Sequence, residues 1–273
     1  MASPVFSNAK EFKSDPLLAQ PSAADLQRQY EQPAGTPGYV ADDRMSYSGV
    51  INKTTGLGIV TLGMGAVAYV LVGQMVSAML PALGAGIAAL VIGLIASFQR
   101  TPGPVLVGLY AVLEGFFLGA ITVLIETQFN VPGAGVQALL ATGITLMVCL
   151  WLYRSGRVRY TSKLRKIFMI GAISYLVFGL VNIGYMIFSD SNSGFGLRTD
   201  VEIFGIPLGA VIGVVAVLLA CISLIGDFDF IDNGVKNGAE KKLEWKASFG
   251  IIVTLVWLYI EFLRLIAIFS GRD

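Results

Sequence analysis

Asp227, Asp229 and Asp232 crowd the end of one long apolar stretch, and Glu261 sits near the middle of the next. Carboxylates inside bilayer-length segments are costly, and where they occur they usually line a bundle interior or an ion path. Two of them brought together in a poorly solvated site cannot both ionise cheaply and would share a proton at low pH. Calcium, a hard cation, prefers carboxylate and carbonyl oxygens. Proton-linked cation binding is therefore the chemistry these residues could do. Two plainer readings compete with it. An acidic cluster at a helix end can sit among lipid headgroups, and Glu261 can pair with Arg264, one turn further on, at the spacing where opposite charges meet on a helix.

The rest of the chain narrows the options. Glu114 lies in the run Tyr110-Ala-Val-Leu-Glu-Gly-Phe-Phe-Leu-Gly with no basic residue close by in sequence, so it needs a partner from another helix, or a proton. Glu126, near the end of the same stretch, is expected to reach water. There is no histidine, which removes a Ser-His pair, a histidine-ligated zinc site and the side chain that titrates near neutrality. Cys149 and Cys221 stand in separate apolar stretches and read as small core residues, not as a disulfide framework. No cofactor is implied.

These residues must be positioned by membrane helices. The chain has 273 residues, 55% hydrophobic and only 14% charged, against about 25% charged in soluble domains. It is an integral membrane protein whose partner is the bilayer. A net charge of +1 argues against nucleic acid, since phosphate binding needs a basic surplus. Residues 1–50 are rich in Pro, Ser, Gln, Ala and charge and read as a disordered cytoplasmic tail, with residues 51–273 forming the membrane domain. No secretory leader is evident, so the first span is expected to act as an uncleaved targeting signal.

Seven apolar segments follow, at about 56–80, 83–99, 104–127, 135–153, 167–188, 203–226 and 247–269, near the roughly 20 residues that a spanning helix needs. The first two are separated by a weak break at Pro81 to Gly84, and a re-entrant pair is the alternative there. Loop charge tests the count, because Lys and Arg gather on the cytoplasmic side of short loops. The tail, Arg100, the cluster from Arg154 to Lys166 and the group from Lys236 to Lys246 alternate with connections that hold no Lys or Arg, or Arg198 alone. An N-inside, C-outside, seven-helix topology satisfies every connection.

Helical phase then sorts the acids. At about 100° per residue, Asp227 falls on the face of Gly209, within the ridge Gly205, Gly209 and Gly213, whose four-residue spacing suits close helix packing. Gly115 and Gly119 form a second such pair. Asp229 lies about 200° from Asp227 and points elsewhere. On the seventh span Gly250, Thr254 and Glu261 share a face.

The stretch Ser223-Leu-Ile-Gly-Asp-Phe-Asp-Phe-Ile-Asp232, followed by Trp257-Leu-Tyr-Ile-Glu-Phe-Leu-Arg-Leu265, resembles the bacterial branch of the Bax inhibitor family of transmembrane proteins. The segment around Glu114-Gly115 is similar to that family's third-helix motif. The resemblance runs from about residue 45 to the C-terminus. It implies an all-α bundle of seven helices with a central C-terminal helix, and a pH-sensitive calcium leak through facing acids on helices six and seven. Carried over by position, the seventh-helix acid is Glu261 and the sixth-helix acid is Asp227 or Asp229. The chain departs from the pattern in having Glu261 where Asp is usual, which changes the reach of the carboxylate, and in a longer loop between the acidic positions.

The expectation is therefore a protonation-linked latch between a sixth-helix Asp and Glu261, with both touching calcium transiently, calcium being the permeant ion and Arg264 and Glu114 accessory charges. An intramembrane aspartyl hydrolase is the rival, but Leu224-Ile-Gly-Asp227 lacks the first glycine of Gly-x-Gly-Asp, and no Tyr-Asp dipeptide occurs. A proton-coupled transporter would call for an internal repeat, and none is evident. A non-conducting membrane regulator of stress responses also remains open. The absence of organelle-retention signals and the character of the resemblance point to the plasma membrane.

Overall fold

The computed structural model describes residues 43–188 and 195–270. The tail, as far as residue 42, lies outside the described residues. Seven helices are long and apolar enough to cross a bilayer: α1 (Tyr47–Gln74), α2 (Met79–Phe98), α3 (Pro104–Gln128), α4 (Ala134–Arg154), α5 (Ser162–Phe188), α7 (Leu208–Lys236) and α8 (Leu243–Ser270). Between the fifth and sixth spans come a single turn, α6 (Leu197–Asp200), and a hairpin of β1 (Glu202–Ile203) with β2 (Ile206–Pro207). The architecture is an all-α, seven-spanning bundle.

Several helices are longer than hydropathy alone suggests, because charges that would end an apolar window find partners. α1 starts at Tyr47, not 56. Ser46 caps it by accepting from the Gly49 N–H at 3.0 Å, as N-cap serines do, and Lys53 in its second turn forms an ion pair with Glu244 of α8. α5 also starts early, at Ser162, five residues before the apolar segment, so that Lys163, Arg165 and Lys166 fall in its first turns. The sixth span differs at both ends from the expected 203–226. Residues 203–207 belong to the hairpin, whose central residues Phe204 and Gly205 both have positive φ, the requirement of a primed two-residue turn. Gly205 therefore leaves the expected ridge. At its other end α7 continues ten residues past Gly226 to Lys236, because Gly226 serves as packing space: a Cβ there would come within 3.0 Å of the Tyr160 ring.

The break between the first two spans falls at Met75–Ala78, ahead of Pro81. Pro81 sits in the first turn of α2, where a missing N–H costs nothing. The second span is thus a complete 20-residue helix instead of a re-entrant segment.

Three contacts define one end of the bundle. Met45 N–H donates to Ala239 O at 2.7 Å, and Lys241 N–H donates to Asp43 O at 2.9 Å. Lys246 Nζ donates to Gln99 O at 2.6 Å. The start of α1, the α2–α3 connection and the α7–α8 connection therefore share an end. α1 lies along α3 with backbones nearly touching: a Cβ on Gly115 would collide with the Thr61 backbone, and one on Gly119 with that of Gly65.

α8 is the central element. It packs against α7, α4, α1, α3 and α2 and supplies buried residues to three separate apolar clusters, among them Leu258, Phe249 and Leu263. α5 is peripheral and rests on α6 and α7.

Candidate functional site: two polar layers along the last helix

Asp227 is half-buried on α7 and meets α8 two turns before Glu261. Thr254 Oγ1 lies 2.9 Å from Asp227 Oδ2 and 3.1 Å from the Gly250 carbonyl, and Ser223 Oγ lies 3.2 Å from Thr254 Oγ1. Thr254 can donate to only one oxygen at a time, so Ser223 can supply a second donor to the group. Gly250 makes room for the acid, since a Cβ there would stand 3.0 Å from Asp227 Oδ1. This first layer holds one carboxylate among hydroxyls, with no cation bonded to it among the described residues.

Glu261 belongs to a second layer. It is 1% exposed, and its Oε1 accepts hydrogen bonds from Tyr175 OH and from Arg264 Nη1, the latter at 2.7 Å. Arg264 Nη1 also donates to Tyr175 OH at 3.0 Å, and Arg198 Nη2 donates to the same oxygen at 3.1 Å. Arg198, 5% exposed, lays its guanidinium over the Tyr175 and Phe178 rings at 5.3 and 5.2 Å. Trp257 also packs against Tyr175, with ring centres 5.7 Å apart. One guanidinium, Arg264, thus meets the buried carboxylate directly, and a second, Arg198, is linked to it through the Tyr175 phenol. Glu261 Oε2 and Arg198 Nη1 are buried without hydrogen-bond partners.

Local structure explains how Arg198 reaches this depth. Gly196, at φ 58°, turns the chain into α6, and Gly209 opens the wall of α7, where a Cβ would lie 2.8 Å from Arg198 O. The remaining ridge glycine, Gly213, instead accommodates Leu265.

Asp227 and Glu261 therefore have separate partners. Thr254 and Glu261 are seven residues apart on one helix, a rise of about 10 Å, and the intervening Leu258 is fully buried. Arg264 does meet Glu261. Asp229 accepts from Asn233 of its own helix at 2.9 Å. Glu114 is buried with no hydrogen-bond or ion-pair partner among the described residues. Asp232 accepts from Tyr47 at 2.6 Å and Lys236 at 2.7 Å. Among the described residues no three or more Asp, Glu, Cys or His side chains are gathered to hold a metal ion.

Sequence reasoning missed Tyr175 and Arg198. The one available signal was that Arg198 is the only basic residue in its connection. Glu244 was also missed. It is completely buried, paired with Lys53, and accepts from Ser46 N–H at 2.9 Å and Ser46 Oγ at 3.1 Å. Glu126, expected to reach water, is half-buried and accepts from Tyr69 OH at 2.8 Å and Gly135 N–H at 2.9 Å. The two cysteines are free thiols, and Cys221 of α7 packs against the same apolar cluster that holds Cys149 of α4.

A family model described as Bax inhibitor 1 like matches residues 3–271. The chain belongs to the Bax inhibitor 1 like family. No curated protein matches it. The family match takes in the tail as well as all seven spans, so the two polar layers lie wholly within the Bax inhibitor 1 like region.

Proposed function

We propose that this Bax inhibitor 1 like protein is a pH-sensitive cation leak of the plasma membrane, carrying calcium, in which Asp227 and Glu261 act as two successive stations along α8. The single observation that carries the reading is the Glu261 cluster: a carboxylate with one unpartnered oxygen, buried in a bilayer-length helix, where charge is retained only at a cost. A purely structural ion pair between Glu261 and Arg264 would not need a phenol on the same acid or a second guanidinium behind that phenol. Each station offers carboxylate oxygen to a dehydrating cation, and the buried Leu258 separates them as the barrier.

Glu261 is the pH-sensing group in this reading. Protonating it removes the charge that holds Arg264 and weakens the acceptor Oε1 that Tyr175 and Arg264 share, so the cluster must rearrange. Separate stations also weigh against the aspartyl-hydrolase alternative, whose two acids must share one proton and one water.

The test is calcium flux into liposomes holding purified protein, measured across pH. Glu261→Gln is expected to abolish the pH dependence and Asp227→Asn to lower flux without abolishing it, while Asp229→Asn leaves both unchanged. Effects of the two active variants should add in the double variant, as for independent sites. A latch in which the acids share a proton would make the double variant resemble the stronger single one. Flux no greater than protein-free vesicles at every pH overturns the leak altogether.

A further inference from the structure

A groove of about 520 Å³ opens on the side of the bundle between α1 and α4, with α3 and α8 as its back wall. On α1 it runs from Gly58 to Val70, a rise of about 18 Å, entirely within the spanning segments. Its size is that of a small-molecule site, yet its walls are almost wholly apolar. The threonines on it spend their hydroxyls on backbone carbonyls of their own helices, Thr61 on Leu57 at 3.0 Å and Thr142 on Ala138 at 2.8 Å. Glycines make the space: a Cβ on Gly143 would meet nothing within 4 Å, and one on Gly58 only Ile252 at 4.0 Å.

One end is polar. Glu126, held by Tyr69 OH and Gly135 N–H, uses two of the roughly four acceptor positions of a carboxylate and keeps the others. It stands at the end of the bundle opposite the basic connections.

We infer that this groove binds one acyl chain of a bilayer phospholipid whose amine-bearing, ethanolamine-type headgroup is drawn to Glu126. The rims are continuous with the lipid-facing belt, with Leu62 54%, Val136 63% and Val70 54% exposed. An apolar cavity of this kind does not hold water stably, and lipid tails are the apolar molecules present at that depth. The carboxylate selects for an ammonium and against an anionic head by simple charge.

The test uses protein in nanodiscs that contain ethanolamine-headed or glycerol-headed phospholipid carrying a photoactivatable acyl chain, with cross-links mapped by mass spectrometry. Label is expected on Leu62, Ala66, Val136 and Leu139, more from the ethanolamine lipid. Gly143→Leu and, separately, Gly58→Leu fill the groove and should cut that label by about tenfold, equivalent to about 1.4 kcal/mol, in protein that elutes and melts as wild type. Glu126→Gln should keep the label but bring the two headgroups to parity. Label spread evenly over the belt, including Ile170 and Leu176 of α5, overturns the site, as does label unchanged in both filling variants. Cross-links from these positions to a second copy of the chain overturn lipid as the occupant. An ethanolamine preference that survives Glu126→Gln overturns the role of that residue.

Discussion

A tyrosine hydroxyl can donate one hydrogen bond and accept two, and Tyr175 does all three, to Glu261 and from Arg198 and Arg264. Tyr175→Phe keeps the ring that Arg198 and Trp257 cover but leaves two guanidinium groups short of an acceptor. An unsatisfied buried group costs about 1–3 kcal/mol, so the variant is expected to melt lower in detergent and to shift the pH midpoint of flux. Retention of both wild-type values would show that the phenol does not couple these charges. Arg198→Lys should not rescue the arrangement, because an ammonium cannot lie flat over two rings while donating sideways. The sequence exposes only part of this cluster. Glu261 and Arg264 are visible because they share one helix at a known spacing. Tyr175 and Arg198 come from other elements, and no local pattern marks a tyrosine that meets an acid 86 positions away.

At the scale of elements, the helix pair α1–α3 depends on the absence of side chains at Gly115 and Gly119. Gly119→Leu would force α1 away, at the 1–3 kcal/mol or more typical of overpacking, about the largest effect expected from one methyl-bearing change in this pair. Gly84→Ala faces nothing within 4 Å and should be neutral or slightly stabilising, since glycine weakens a helix interior. Thermal melts of the two variants make the comparison, and equal losses would refute close packing as the cause. The spacing of these glycines is readable in sequence. Helix ends are less so, because a hydropathy window stops at Lys53, Asp227 or Glu244, whereas the helices run on through these charges, each of which has a partner on another element. Pro81 misleads for a related reason: in a first turn it begins a helix as readily as it ends one.

Over the whole molecule, the basic connections gather at one end and Arg198 lies towards the other, and under the positive-inside bias we propose that the start of α1 and the Arg154–Lys166 connection face the cytoplasm. With Cys149 and Cys221 replaced by alanine, Gly156→Cys should react with an impermeant thiol reagent only from the cytoplasmic face and Phe204→Cys only from outside. Labelling of both from one face would break the seven-span alternation. Alternation of charge made this count legible in the sequence, while the groove beside α1 was not, because it depends on which helices stand apart. The central position of α8 has one more consequence. Six spans precede it in the chain, and their buried faces at Val107, Ala134 and Leu224 are completed by its Phe249, Leu263 and Leu258. During synthesis those six can enter the bilayer one after another but cannot finish packing, so assembly waits on the insertion of α8, and a ribosome stalled before residue 243 would leave a set of helices with no centre for quality control to find.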